Sequence, residues 1–252
     1  MSFSIITTVL NEENFISDCI ESVQRQKYSK NIEHIIIDGG SKDNTVNLIK
    51  DFADKYQSIN FFQKNNIGIY QGINFGLSMA KNDFIGILNS DDFYVDEMVF
   101  ENLNYIFEKN PDISALHSNV KIFNRKNINK IYRIYKSKEF SSDDFFKCDT
   151  PPHTSLFIKK EVYEKFGKFN EDLKIASDFE FMLRVFGKNK VKNKFVDKTF
   201  VCMRSHGVST KNVINIIKSN YEVIKSFKMN DLKINYLYLI MKVIKKFKQI
   251  RL

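Results

Sequence analysis

Two β-branched runs of strand length, FSIITTV at 3–9 and EHIIID at 33–38, flank a segment in which Phe15, Cys19, Ile20 and Val23 recur at helical spacing. This strand–helix–strand order repeats, and the repetition restricts the possible folds more than any other feature. Asn11 reads as the cap of the first helix. A second helix follows Asp43 and carries Val46, Ile49, Ala53 and Tyr56. INFFQ at 59–63 is a third strand, and a short helix over 70–80 leads into DFIGIL at 83–88. A helix over 96–109 then precedes a strand at 113–123. Alternation of this kind builds an α/β fold, an open and mostly parallel sheet flanked by helices. Ligands collect at the carboxyl ends of the strands in such sheets, so Thr8, Asp38 and the 89–92 segment are expected on one rim.

The second half is less regular. Residues 124–150 read as strand or loop crossing the site. TSLFIKK at 154–160 is a strand candidate, followed by a short helix to Phe166 and a turn at Gly167. Phe179, Met182, Leu183 and Phe186 share one face of a helix over 178–187, and KFVDKTFVCMR at 194–204 is a late strand. The reading is a domain over 1–210, with a first half 1–123 and a second half 124–210, followed by a basic helical tail over 211–252.

Several chemistries are excluded at the outset. There is no GxxxxGK[ST] loop and no GxGxxG after a strand. A sugar-phosphate nucleotidyltransferase would want a Gly-rich, Arg-bearing loop after the first strand, where this chain has TVLNEENF. What remains is a set of acids at strand ends. Asp38 reads as an acceptor for a base or ribose, or as part of a turn capped by Asp43. Asp91 and Asp92 suit Mg²⁺ or Mn²⁺, which take oxygen ligands and share them with substrate phosphates. The alternative is an acidic pair serving the dipole of the next helix.

The strings TVLNEE, DGGSKDNT, NNIGIYQGINFGLSMAKNDFIGILNSDD, PPHTSLFIKK and ASDFEFMLR, in this order over 3–210, resemble a family 2 glycosyltransferase of the GT-A fold, of the bacterial surface-polysaccharide type. The resemblance implies an inverting transfer of a sugar from a nucleotide-diphosphate donor, with UDP favoured, to a hydroxyl of a glycan or lipid-linked acceptor. It implies Mn²⁺ or Mg²⁺ as cofactor. Thr8, Asn11 and Glu13 would line the nucleotide pocket, and Asp38 would hold the nucleoside. Asn66, Gly68 and Gln71 would wrap the donor, although relatives often have Asp-Ala where this chain has Gln71-Gly72. The metal motif Asp-x-Asp falls on Asn89-x-Asp91, so Asp91 becomes the principal ligand. Asn89 would offer an acceptor oxygen, and Asp92 would be a donor contact or a support. Asp178 fits the catalytic base, with Ser177 where many relatives carry Glu. Glu180 is the runner-up, pointing about 200° away on a helix. Helix capping is the other role open to Asp178. His153 would touch acceptor or diphosphate, His206 the donor or metal, and Arg204 a phosphate. His34 and His117 read as structural.

Charge separates the tail from the body. Of a net charge of +9, residues 211–252 contribute +8, from ten Lys or Arg against Glu222 and Asp231. Basicity so confined argues against a nucleic-acid-binding face. Leu232, Tyr236, Leu239, Ile240, Val243, Phe247 and Ile250 form one helical stripe beside Lys242, Lys245, Lys246, Lys248 and Arg251. This suits either an interfacial helix on an anionic membrane or a helix packed on the domain. No signal-type leader or run of roughly 18 apolar residues is present, and the three cysteines are isolated. The expectation is a cytoplasmic enzyme, peripheral to the inner face of the plasma membrane. The rival functions are a catalytically silent nucleotide-sugar-binding homologue and a basic nucleic-acid-associated protein.

Overall fold

A computed structural model describes residues 1–28, 31–125, 127–205, 213–239 and 241. The first half runs β1 (Phe3–Val9), α1 (Ile16–Gln24), β2 (Ile32–Asp38), α2 (Thr45–Lys55), β3 (Ile59–Gln63), α3 (Ile69–Met79), β4 (Phe84–Ile87), β5 (Phe93–Tyr94) and α4 (Val99–Lys109). It continues through β6 (Ala115–Asn124), β7 (Asn127–Tyr135), α5 (Ser142–Phe146), a 3₁₀ turn (His153–Ser155), β8 (Phe157–Lys159) and α6 (Lys160–Phe166). Then come α7 (Ser177–Met182), a π-helical turn (Leu183–Lys188), β9 (Asn193–Arg204) and α8 (Val213–Met229).

Among the described residues the strands form one mixed sheet in the order β3-β2-β1-β4-β8-β6-β9-β5, with β7 hydrogen-bonded to β6. β3, β2, β1 and β4 are mutually parallel, as the repeated strand–helix–strand pattern requires. β8 runs antiparallel to both β4 and β6, and β9 is parallel to β6. These directions bring the C-terminal ends of β1, β2, β4, β6 and β9 and the N-terminal end of β8 to one edge. That edge is the rim expected from the sequence, extended by Arg204 at the end of β9 and His153 before β8.

Burial is nearly continuous along β1 and β2, as a sheet covered on both faces demands, with successive residues entering opposite cores. Ile6, Ile35 and Ile37 join the core beneath α3 and α7, together with Val223 and Phe227 of α8. Phe3, Ile5 and Ile36 join the opposite core with Ile20 of α1, Ile49 of α2 and Phe100 of α4. α3 comes unusually close to the sheet at Gly76, where an added Cβ would lie 2.6 Å from Ile6 Cγ2 and 3.1 Å from Ile37 Cδ1. Gly76→Ala is therefore expected to cost stability. Overpacking costs about 1–3 kcal/mol, and the better helix propensity of Ala returns at most about 1 kcal/mol. Urea unfolding measures the difference.

Two histidines are buried within the sheet. Burial lowers His34 to about 3 and His117 to about 4. Depressed folded-state values mean that each contributes stability above pH 6.5, lost as pH falls toward those values. The loss between pH 7 and 5 is expected to be about 2–4 kcal/mol for the pair. The buried Asp92, displaced in the opposite direction, returns part of it. Urea midpoints across that window provide the measurement.

Several element boundaries differ from expectation, each for a local reason. Asn11 does not cap α1: it lies in the left-handed region, with φ 53°, and Phe15 occupies the capping position. α4 begins at Val99, because Asp96 first closes a turn onto the Met98 N–H at 2.8 Å. β8 retains only three residues because the segment before it coils into the 3₁₀ turn.

Candidate active site

The rim is built from three hydrogen-bonded groups. In the first, the loops leaving β1 and β2 are laced together. Asn11 accepts the Lys42 N–H at 2.8 Å and donates its own N–H to Ser41 Oγ at 2.8 Å. Glu13 accepts the Asn44 N–H at 2.8 Å, and Asp43 accepts that of Glu13 at 3.2 Å. Asp38 is fully buried and receives the Gly40 and Ser41 N–H groups at 2.9 and 3.0 Å, across a turn in which Gly40 has φ 102°. Asn66, at φ 62°, joins this collar through its N–H to Gly39. Gln71 reaches back to the Gly68 N–H at 2.8 Å and so closes the first turn of α3. Thr8 lies under Gly72, whose added Cβ would approach the Thr8 methyl to 2.8 Å. Seven of the anticipated nucleotide residues thus share one collar. Asp38 and Gln71 spend carboxylate or amide oxygens on backbone N–H groups of their own loops, and Glu13 spends one on the loop after β2.

The second group follows β4. Asn89 donates its amide to Asp92 Oδ2 at 2.8 Å, and Arg204 donates its backbone N–H to Asp92 Oδ1 at 3.1 Å. Asp92 is only 1% exposed, and burial together with the neighbouring Asp91 charge pushes its carboxyl well above the usual range. The Asp92 carboxylate is turned inward, onto the Asn89 amide and the Arg204 N–H. Arg204 is also buried, with its guanidinium on the Asp91 carbonyl and the Asp18 carboxylate. It pins the 89–92 loop to α1. Asp91 keeps its carboxylate at the rim, where the Arg125 guanidinium takes it. The other end of that guanidinium grips both oxygens of Glu12, at 3.0 and 3.1 Å. Burial raises Glu12 above the usual carboxylate range. Phe15 lies beneath both cations, its ring centre 4.5 Å from the Arg125 guanidinium and 4.6 Å from that of Arg204.

The third group joins residues far apart in the chain. His153 Nδ1 sits 3.3 Å from Asp178 Oδ2, and both side chains are partly open to solvent. Asp178 Oδ1 accepts the Phe179 N–H at 2.8 Å and lies 3.4 Å from the Tyr70 hydroxyl. Tyr70 donates at 2.9 Å to the Ile175 carbonyl, and burial holds its phenol well above the usual range, so it remains a donor. The loop leading to Asp178 is tied down from α8. Glu222 accepts the N–H groups of Lys174, Ile175 and Ala176 at 2.9, 2.8 and 2.8 Å. Glu180, the alternative base, is 3% exposed and held by Arg184 at 2.8 and 3.0 Å and by Asn230 at 3.0 Å. His206 lies outside the described residues.

Mn²⁺ and Mg²⁺ take hard oxygen donors and leave several positions to water and phosphate. Asp91 and Glu12 supply such oxygens, whereas Asn89 and Asp92 are bound to one another. Among the described residues no group of three or more His, Cys, Asp or Glu forms a metal cluster. The residues fit a divalent ion that draws the rest of its oxygens from substrate, and Asp91 with Glu12 would hold it.

Glu12, Phe15, Tyr70, Arg125 and Glu222 were not anticipated as site residues. The only sign of Arg125 was the reading of 124–150 as crossing the site; Glu222 was one acid in a basic tail.

The chain is 27% identical over 267 aligned positions to the minor teichoic acid biosynthesis protein GgaB of Bacillus subtilis, covering 92% of this chain and 29% of GgaB. It therefore spans less than a third of that relative. Its fold matches S. aureus TarS 1-349 in complex with UDP-GlcNAc, with a TM-score of 0.71, 17% identity, and coverage of 92% of this chain and 68% of that 1-349 chain. The mannosyltransferase PcManGT from Pyrobaculum calidifontis, in complex with GDP-Man and Mn²⁺, matches with a TM-score of 0.67 and 15% identity, covering 90% of this chain and 67% of that one. Both share the α/β architecture with its mixed sheet. Residues 4–167 match the family model described as glycosyl transferase family 2, so the chain belongs to that family.

Proposed function

We propose that the protein is an inverting glycosyltransferase that moves a sugar from a nucleoside-diphosphate donor, UDP-linked, to a hydroxyl of a glycan or lipid-linked acceptor in surface-polysaccharide synthesis. One observation carries the reading: Asp178, His153 and Tyr70 converge on the strand-end rim of a family 2 chain. The names of GgaB and of the TarS–UDP-GlcNAc complex support the polysaccharide class and the donor. The Asp178 carboxylate accepts the acceptor's proton as the acceptor oxygen bonds to the anomeric carbon. The bond from that carbon to the diphosphate breaks, and the diphosphate leaves with the electron pair. Attack opposite the leaving group inverts the anomeric centre. His153 is placed to orient the acceptor hydroxyl, and Tyr70 fixes the base's loop. A divalent ion, when bound, neutralises charge on the departing diphosphate. The loops around Thr8, Asn11, Glu13, Asp38, Asn66, Gly68 and Gln71 bracket the nucleotide.

The test is a panel of nucleotide-sugars assayed with Mn²⁺, by thermal stabilisation and by release of nucleoside diphosphate. A binder shifts unfolding by mass action. UDP-GlcNAc or another UDP-sugar is expected to stabilise the protein and to turn over. Binding without turnover on any acceptor would favour a silent homologue.

A peripheral membrane location belongs to the same proposal. Among the described residues no helix is long and apolar enough to cross a membrane. Ile214, Ile217 and Tyr221 are 61, 64 and 67% exposed along one face of α8 beside Lys218. Of the anticipated tail stripe, Tyr236 is exposed while Leu239 is buried against the core. Ile240, Val243, Phe247, Ile250 and the five basic residues near them lie outside the described residues. The full chain is expected to sediment with phosphatidylglycerol-containing liposomes, and a chain ending at 229 to do so less. Equal binding would favour a helix that merely packs on the domain.

A further inference from the structure

Arg125 stands where the reaction needs positive charge, and nothing in the family resemblance assigned it a role. It follows the C-terminal end of β6, on the same rim as β4. Its guanidinium joins Asp91, the anticipated principal metal ligand, to both oxygens of Glu12. It rests on Phe15, which also carries Arg204. Arg204 is committed to Asp18 and to the loop backbone, whereas the Arg125 side chain is 29% exposed and its guanidinium binds the Asp91 and Glu12 carboxylates.

We infer that Arg125 is the resting counter-ion of the Asp91–Glu12 pair and the side chain that binds the donor's diphosphate. The inference rests on the glycosyltransferase reading above. In the resting site a single guanidinium bridges two carboxylates and offsets one of their two charges, so a free divalent ion must displace it. A nucleoside diphosphate offers that guanidinium a bidentate partner of equivalent charge. The exchange is then balanced: Arg125 moves to phosphate, and Asp91 with Glu12 is freed for the cation. Metal and donor would bind together, each lowering the cost of admitting the other.

Three forms of the full chain provide the test: wild type, Arg125→Gln and Arg125→Lys. Mn²⁺ alone is titrated by electron paramagnetic resonance, and UDP binding is measured by calorimetry at saturating Mn²⁺. Arg125→Gln is expected to bind free Mn²⁺ at least about 10-fold more tightly than wild type, and UDP at least about 10-fold more weakly. Arg125→Lys retains the counter-charge and is expected to keep the weak Mn²⁺ binding while losing part of the UDP affinity, because its ammonium cannot bind in bidentate fashion. A structural salt bridge would lower the melting temperature of Arg125→Gln and leave both affinities unchanged, which would overturn the inference. If wild type binds UDP and Arg125→Gln binds it equally, the inference fails and the glycosyltransferase reading stands. If wild type binds no nucleoside diphosphate, both fail. Should Arg125→Gln not fold, the lysine form decides: UDP affinity unchanged from wild type would overturn the inference.

Discussion

Asp178→Asn is expected to lower sugar transfer by about 10²- to 10⁴-fold, the range that a positioned general base supplies. Nucleotide affinity should remain unchanged. The substitution is nearly isosteric, and its amide oxygen can still accept the Phe179 N–H that Asp178 Oδ1 receives at 2.8 Å. The acceptor site for a proton is lost, together with the charge facing His153 at 3.3 Å. The partners of Asp178 are Phe179, Tyr70 and His153, outside the proposed nucleotide collar, so UDP is expected to stabilise variant and wild type alike. A transfer assay and a UDP thermal shift on the same preparation separate the two effects. Full activity in the variant would remove Asp178 from the mechanism and leave it as a cap on α7.

Glu180→Ala is expected to cost about 3–5 kcal/mol of stability, the loss typical when one partner of a buried ion pair is removed. Glu180 holds Arg184 from within α7, four residues away. Arg184 in turn gathers the carbonyls of Phe166, Gly167 and Lys168, where the chain turns through Gly167 at φ 85°. Asn230, beyond α8, donates to the same carboxylate at 3.0 Å. One acid therefore joins α7, the turn after α6 and the end of α8. Urea unfolding gives the cost, and activity measured well below the melting temperature gives the chemical contribution. A stable Glu180→Ala protein without activity would instead make Glu180 the base and displace Asp178.

The parallel half of the sheet was legible because its strands are buried on both faces, which selects uninterrupted β-branched runs such as Ile35, Ile36 and Ile37. The starts of α1 and α4 were not. Phe15 and Met98, the capping residues, carry no side-chain cap, and Asn11, the residue that looked like one, serves the loop after β2. Asp91 and Asp178 were legible as acids at a strand end and a helix start. The inward turn of Asp92 was not, because it depends on β9 delivering the Arg204 N–H in register. Arg125 and Glu222 had no local signature. Each acquires its partners only when β6 and α8 are placed against elements distant in sequence.

The Glu222 brace bears on how family members exchange parts. The family match stops at residue 167, yet the proposed base lies eleven positions further on, and its loop is moored by an acid on α8. A crossover placed after β9 would pair this chain's base with a foreign helix, leaving three amide groups without their acceptor. Asn230 still holds Glu180 and Leu239 still packs on the core, so the natural seam for a chimera falls after Leu239. Acceptor modules joined beyond that point would leave the mooring intact.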